Sequence, residues 1–261
     1  MKSECLLDEL LIINNGVVSH DIDKDFILNL GVRIKKINVR HFLDVRQLSW
    51  IYNGVLNEYS QGDRFIFFSD DFVLDENYID NLNACYSDVV DLQIPNIRDG
   101  VSKKIIYPRL NKVVQKIPDG MKIDSQYNLL SMNSGLVIYR NLIDKFAECN
   151  MEVFDNRFAL YGVDYNFFNR LEMLKKENYK ICVQVINTIE SSLPEIEEQD
   201  GRSQEVERLY DRVLSGKYYS KNKFLIYLRL LRISFQQLIR FKFSNLELIF
   251  KIFAQGKHPR C

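Results

Sequence analysis

Two hydrophobic periods take turns along this chain. Unbroken apolar runs at residues 10–13, 65–68 and 135–139 are short enough for strands and apolar enough to be buried on both faces, and residues 89–94 and 181–186, mainly apolar, predict two more strands. Residues 32–42 are rich in β-branched side chains and predict one or two more strands. Between these runs the spacing lengthens. Leu48, Ile51, Tyr52, Val55 and Tyr59 recur every three or four residues, the stripe of an amphipathic helix over 48–59 that Gly62-Asp63 ends. Residues 22–30, 75–83, 140–149 and 164–176 predict further helices, the last with Phe167, Leu171 and Leu174 on one side. Gly100, Pro108, Pro118 and Gly120 make 99–128 a long excursion or β-ribbon, with the strand at 89–94 ending near Pro95. The acidic stretch 190–211 predicts a mobile loop followed by a helix. Strands alternating with helices predict an α/β domain over residues 1–215, built on a mostly parallel sheet flanked by helices.

From Lys217 onward the pattern changes. Ten basic residues face one acidic residue, Glu247, so this tail carries +9 in a chain of zero net charge and the remainder carries −9. Phe224, Leu228, Leu231, Phe235 and Leu238 form an apolar stripe, with Arg229, Arg232, Gln236 and Arg240 on the other side. A basic amphipathic helical tail over 216–261 suits the inner face of an anionic membrane; the alternative is a helix packed on the acidic body. The stripe is interrupted by Arg229 and Arg232, so no run reaches the roughly 20 apolar residues that span a bilayer. Charge alone, with no supporting motif, does not make a nucleic-acid partner. The five cysteines are scattered, odd in number and without a CxxC pair, which fits a reducing compartment and excludes a disulfide framework or zinc site. Acidic residues break up residues 1–9, which therefore do not read as a signal peptide. The expected location is cytoplasmic, peripheral at the inner face of the cell membrane.

Candidate chemistry gathers in three segments. In the first, Ser69-Asp70-Asp71, an apolar strand stops at two adjacent carboxylates. Neighbouring carboxylates repel unless a cation separates them, and a divalent ion holding a diphosphate is a natural partner. Ligands of open α/β sheets sit at the carboxyl ends of strands, where these residues fall. The second segment is Met132-Asn133-Ser134-Gly135, ahead of the strand at 135–139. The third runs from Phe154 to Leu171 and presents Asp164 after Gly162, at the start of a helix. A carboxylate there tends to stay ionised and can act as a general base; a plain N-cap is the alternative. No Gly-x-x-x-x-Gly-Lys or Gly-x-Gly-x-x-Gly loop is present, and His20, His41 and His258 are isolated.

The order of these segments resembles the family-2 glycosyltransferases of GT-A fold. Their buried strand ends in a DxD-like cluster, as Ser69-Asp70-Asp71 does here; a later "SGLLI" is matched by Asn133-Ser134-Gly135-Leu136-Val137-Ile138-Tyr139-Arg140. Their "GGFDERF…YGED.D…RL" is matched by Phe154-Asp155-Asn156-Arg157-Phe158, Tyr161-Gly162-Val163-Asp164-Tyr165 and Arg170-Leu171. Residues 89–95 and 105–108 resemble the family's middle strands, and Lys217-Tyr218-Tyr219-Ser220-Lys221-Asn222-Lys223 resembles an element of bacterial polysaccharide members. The likeness covers roughly residues 9–230 and starts at the family's second strand. About eight residues precede it, too few for the β-α unit with which the family begins.

The resemblance implies a Rossmann-like nucleotide-diphospho-sugar transferase with an inverting mechanism. Asp164 would be the catalytic base, and Asp71 the ligand of a Mg²⁺ or Mn²⁺ ion. Asn14, Ser69, Asp70, Ser134 and Gly135 would contact the nucleotide sugar, Ser69 standing where the family has its first Asp. Asn53-Gly54 matches a family Asn-Gly, for which packing is the favoured role. The implied activity is transfer of a hexose or rhamnose to a saccharide acceptor, lipid-linked, in synthesis of bacterial surface polysaccharide such as O-antigen (lipopolysaccharide) or capsule. The short N-terminus and Ser69 leave an alternative: a catalytically impaired homologue serving as a membrane-associated binding or assembly subunit.

Overall fold

The structure, a computed structural model, describes residues 7–18, 34–73, 75–159, 162–191, 202–220 and 222–261. The chain forms two compact units, Met1–Gln47 and Leu48–Cys261. In the first, β1 (Leu7–Asn14) and β2 (Ile34–His41) pair in parallel, from Leu7 opposite Ile34 to Asn14 opposite His41. The helix expected at 22–30 lies outside the described residues.

The second unit opens with α1 (Leu48–Glu58), then β3 (Arg64–Phe67), β4 (Phe72–Val73) and α2 (Tyr78–Cys85). There follow β5 (Leu92–Asp99), β6 (Ile105–Tyr107), β7 (Arg109–Leu110), β8 (Val113–Val114), β9 (Lys122–Ile123), β10 (Leu129–Leu130) and β11 (Leu136–Tyr139). The chain continues through α3 (Arg140–Glu148), α4 (Val163–Lys176), β12 (Val183–Ser191), α5 (Arg202–Tyr219), α6 (Lys223–Ile239) and α7 (Phe243–Gln255). The main sheet has the order β3-β11-β5-β12-β4, with β6 paired to β5 and β9 to β12; β7 and β8, within the predicted excursion, form a separate ribbon with β10 just beyond it.

The mostly parallel sheet expected from sequence is instead a mixed one. Only β5 and β12 are parallel neighbours; β11 runs against both β3 and β5, and β4, β6 and β9 are also antiparallel to their partners. An apolar run reports that both faces of a strand are covered, not which way its neighbours run. Coverage is as expected. Leu136 and Ile138 enter one apolar cluster with Leu56 of α1, Phe146 of α3 and Phe167 of α4, whereas Val137 and Tyr139 enter a second with Tyr78 and Leu82 of α2. Since β11 opposes both its neighbours, β3, β5 and β12 share one direction.

β5 does not end near Pro95 but runs on to Asp99. The partner strand β12 slips register between Val185 and Thr188, opposite this proline, with Asn187 in the left-handed region at φ 68°. A proline lacks the ladder N–H and is tolerated at such a bulge.

Residue 216, where the sequence suggests that the tail begins, lies inside α5. The tail is two helices rather than one. Leu209, Val213 and Leu214 of α5, Ile233 of α6, and Ile249 and Ile252 of α7 are buried in the same cluster as Phe154 and Phe167. Four cysteines are described, and all are free thiols.

Candidate functional site

The site is built at the carboxyl end of β3. Beyond Phe67 the chain turns at Asp70–Asp71 and re-enters the sheet as β4. Asp70 is exposed and Asp71 half-buried. Ser69 links this turn to the loop before β11. Its N–H donates to the Ser134 hydroxyl at 3.2 Å, and its own hydroxyl donates to the Asp71 carboxylate while lying 3.5 Å from Ser134 Oγ.

Gly135 brings that loop across the strand end. Its N–H donates to the Phe67 carbonyl at 2.8 Å, and its carbonyl accepts from the Tyr78 hydroxyl at 2.9 Å. It has φ +72°, and a Cβ there would stand 2.7 Å from Pro95 Cγ. Only glycine meets both conditions without moving the sheet.

Asp164 joins from α4. The backbone N–H groups of Asn133 and of Asp164 itself favour its charged form. Burial nevertheless pushes this carboxyl up from the ordinary 3.8 to about 6, and the charge of Asp71 adds to the rise. The helix start favours the charged form by about 0.3–1 kcal/mol, less than burial, which moves carboxyl pKa values by whole units; a carboxyl at about 6 is still largely ionised at neutral pH. Nor is Asp164 the cap: Gly162 holds that position at φ +79°, and Asp164 lies in the first turn.

The Tyr52 hydroxyl of α1 belongs to the same field. Its pKa lies far above the ordinary value, first through burial and then through the charges of Asp164 and Asp71. The ring packs edge-on against Phe67 with centroids 4.9 Å apart. In the sequence Tyr52 is one more apolar position of a helix stripe, so nothing marks it as a site residue.

Asn133 is the other residue the sequence reading quoted but did not single out. Its side chain is 5 % exposed, and neither its amide nitrogen nor its oxygen has a hydrogen-bond partner among the described residues; the buried Ser131 hydroxyl is in the same state. Each such group costs about 1–3 kcal/mol. An amide offers a donor and an acceptor side by side, which suits a hydroxyl group that does both.

The remaining motif residues support the site from beneath. Asn53 brackets Phe154, its Nδ2 donating to the Phe154 carbonyl at 2.8 Å and its Oδ1 accepting from the Phe154 N–H at 3.0 Å. Ser49 Oγ donates to the Phe158 carbonyl at 2.6 Å. Asp155 is 3 % exposed and takes a two-pronged ion pair from Arg157, with Nε at 2.7 Å and Nη2 at 2.6 Å, plus the Tyr219 hydroxyl at 2.5 Å. Burial alone would raise its pKa, but Arg157 and Tyr219 together hold it below the ordinary value.

The structure thus brings together Ser69, Asp71, Asn133, Ser134 and Asp164, with Gly135 as the hinge of the loop between them. Asn14 belongs to the unit Met1–Gln47. It ends β1, donates from Nδ2 to the Val18 carbonyl at 2.7 Å and lies 3.4 Å from His41 Nδ1.

No model of a known protein family matches this chain, and no curated protein matches it in sequence.

Proposed function

We propose that this chain is an inverting glycosyltransferase of GT-A type, moving a sugar from a nucleotide donor to a saccharide hydroxyl in the assembly of a bacterial surface polysaccharide. The observation that carries this reading is the convergence of the Ser69–Asp71 turn with the Asn133–Ser134 loop. Ser69 bonds both the Asp71 carboxylate and the Ser134 hydroxyl, and Asp164 lies within reach of the Asp71 charge, at the end of a sheet where three strands share a direction. That edge is where open α/β sheets take their ligands.

The donor set fits a divalent ion that arrives with a diphosphate. Among the described residues no three His, Cys, Asp or Glu side chains form a metal-binding group. Mg²⁺ does not require one, since it is held by one or two carboxylates together with substrate phosphates. Asp71 supplies a hard carboxylate in an accessible turn, with Ser69 orienting it. When bound there, such an ion supplies neutralisation of the charge that builds on the departing diphosphate.

Asp164 takes the proton of the acceptor hydroxyl as that oxygen attacks the anomeric carbon from the face opposite the nucleotide. A base with a pKa of about 6 is largely ionised at neutral pH yet basic enough to hold a proton in the transition state. Asn133 positions the acceptor or donor sugar through its open amide.

The test is Asp164→Asn. Release of nucleoside diphosphate from a panel of nucleotide sugars, with saccharide acceptors present, should fall by about 10²–10⁴-fold. Donor affinity by calorimetry should stay within a fewfold. Unchanged turnover would remove Asp164 from the mechanism. Absence of heat with every donor, in the wild-type protein with Mg²⁺ or Mn²⁺, would favour a non-catalytic assembly subunit instead.

A further inference from the structure

Helix α6 has two apolar faces, and only one is packed among the described residues. Ile233 and Gln237 are buried, Gln237 accepting from Asn245 of α7 at 2.8 Å, while Ile226 and Leu230 line the seam with α5 and α7. The helix is therefore packed on its inner side. Its outer side nonetheless presents Phe224, Leu228, Leu231 and Phe235, of which Phe224 is 68 %, Leu231 66 % and Phe235 63 % exposed. At 100° per residue these four side chains fall on one arc. The sequence reading placed the arginines opposite the stripe; in the structure that side is the buried one, and Arg229, Arg232 and Arg240 are exposed along one flank of it.

Two further observations single out this face. The turn into α7 carries Phe241 and Phe243, Phe241 being 80 % exposed. Phe241 also adopts φ 55°, a backbone region that a bulky side chain occupies at a cost. The arginine flank is crowded as well. Arg212 of α5 donates to Gln236 Oε1 at 2.6 Å, and its pKa is held down by burial and then by Arg240 and Arg232. α6 contains no acidic residue.

We propose that the outer face of α6 and the Phe241–Phe243 turn dock on an anionic lipid bilayer, the aromatic and aliphatic side chains entering the headgroup–acyl boundary and Arg229, Arg232 and Arg240 pairing with lipid phosphates. A large apolar patch flanked by cations is the composition of an interfacial helix. A second copy of the chain is the weaker occupant, because two-fold pairing of this face would bring two arginine rows together without acidic partners. No helix among the described residues is long and apolar enough to cross a membrane, so the attachment lies at the surface.

Flotation of the full chain with vesicles tests this without any nucleotide sugar, so its outcome is independent of the sugar-transfer reading. The protein should float with vesicles containing phosphatidylglycerol, much less with phosphatidylcholine alone, and progressively less as salt is raised. Arg229→Gln, Arg232→Gln and Arg240→Gln together should lower partitioning on the order of a hundredfold. Leu231→Glu with Phe235→Glu should abolish it while leaving the circular dichroism and melting temperature unchanged, since both side chains lie outside the core. No flotation, equal flotation on neutral vesicles, or variants that float like wild type would overturn the proposal. A concentration-dependent dimer in the ultracentrifuge that Leu231→Glu dissociates, without vesicle binding, would assign the face to a second copy.

Discussion

Folding and chemistry ask opposite things of Asp164. A carboxyl whose pKa rises from 3.8 to about 6 on folding holds its proton more tightly in the native state. Its contribution to stability is full below about pH 4, declines as pH rises through about 6, and is unfavourable above that. Replacing it with neutral Asn should therefore raise the melting temperature near pH 7. A gain of about 1 kcal/mol corresponds to roughly 2–4 °C at this chain length. On the proposed mechanism the same substitution should remove turnover, a trade of stability against activity. If the proposed transfer is its activity, kcat/KM of the wild-type protein should fall on the acid side of about pH 6 and level off above it; a profile flat to pH 4 would exclude Asp164 as the base. Asp155 is the contrasting case. It is more deeply buried than the half-buried Asp164, but it is matched by Arg157 and Tyr219, and its role is structural. Asp155→Ala should cost about 3–5 kcal/mol by leaving Arg157 and Arg170 without their counterion. Urea unfolding measures the loss.

Elements place these residues through a few positions where the backbone leaves no alternative. Gly162 starts α4 in the left-handed region, and a Cβ there would stand 1.8 Å from Asp211 Oδ1. Asp211 is itself engaged by Asn166 Nδ2 at 3.2 Å and by Ser215 Oγ at 3.1 Å, which fastens α5 to the first turn of α4. Gly162→Ala should disturb both helices and displace Asp164. The expected result is a destabilisation of at least about 1–2 kcal/mol from the backbone alone, with turnover reduced more than donor affinity. The sequence made α4 legible through its stripe of Phe167, Leu171 and Leu174, and it made the apolar strands legible as runs. Strand direction was not legible, because burial on both faces looks the same for a parallel strand and for β11 running against its neighbours. The Asp70–Asp71 turn and Asp164 stood out as carboxylates at element ends. Tyr52 and Asn133 did not, because a half-buried tyrosine on a helix stripe and a loop asparagine acquire significance only when the fold sets them beside those carboxylates.

At the scale of the molecule, the basic tail is part of the core rather than an appendage to it. Charge and periodicity showed that residues 216–261 differ from the rest, and from that the tail reads as a separable extension. The structure joins it from both sides. Lys217 Nζ donates to the Phe253 carbonyl at 2.6 Å and the Tyr218 hydroxyl to the Gly256 carbonyl at 2.6 Å, while Tyr219 reaches back to Asp155. Ile233, Ile249 and Ile252 cover Leu209, Val213 and Leu214 in one continuous cluster with the aromatic residues under Asp164. Burying such a side chain is worth roughly 1.5–3 kcal/mol, so uncovering these six removes about as much as the 5–15 kcal/mol that holds a whole domain folded. A chain ending after residue 221 should therefore fail to fold cooperatively, appearing in the insoluble fraction or melting without a sharp transition. Tyr219→Phe, which keeps the packing and removes only the hydrogen bond to Asp155, should instead fold with a loss of about 1.5–3 kcal/mol. If the shortened chain melted as sharply and as high as the full one, the segment beyond residue 221 would be an independent module; the bond from Tyr219 to Asp155, which the shortened chain keeps, is tested by Tyr219→Phe alone.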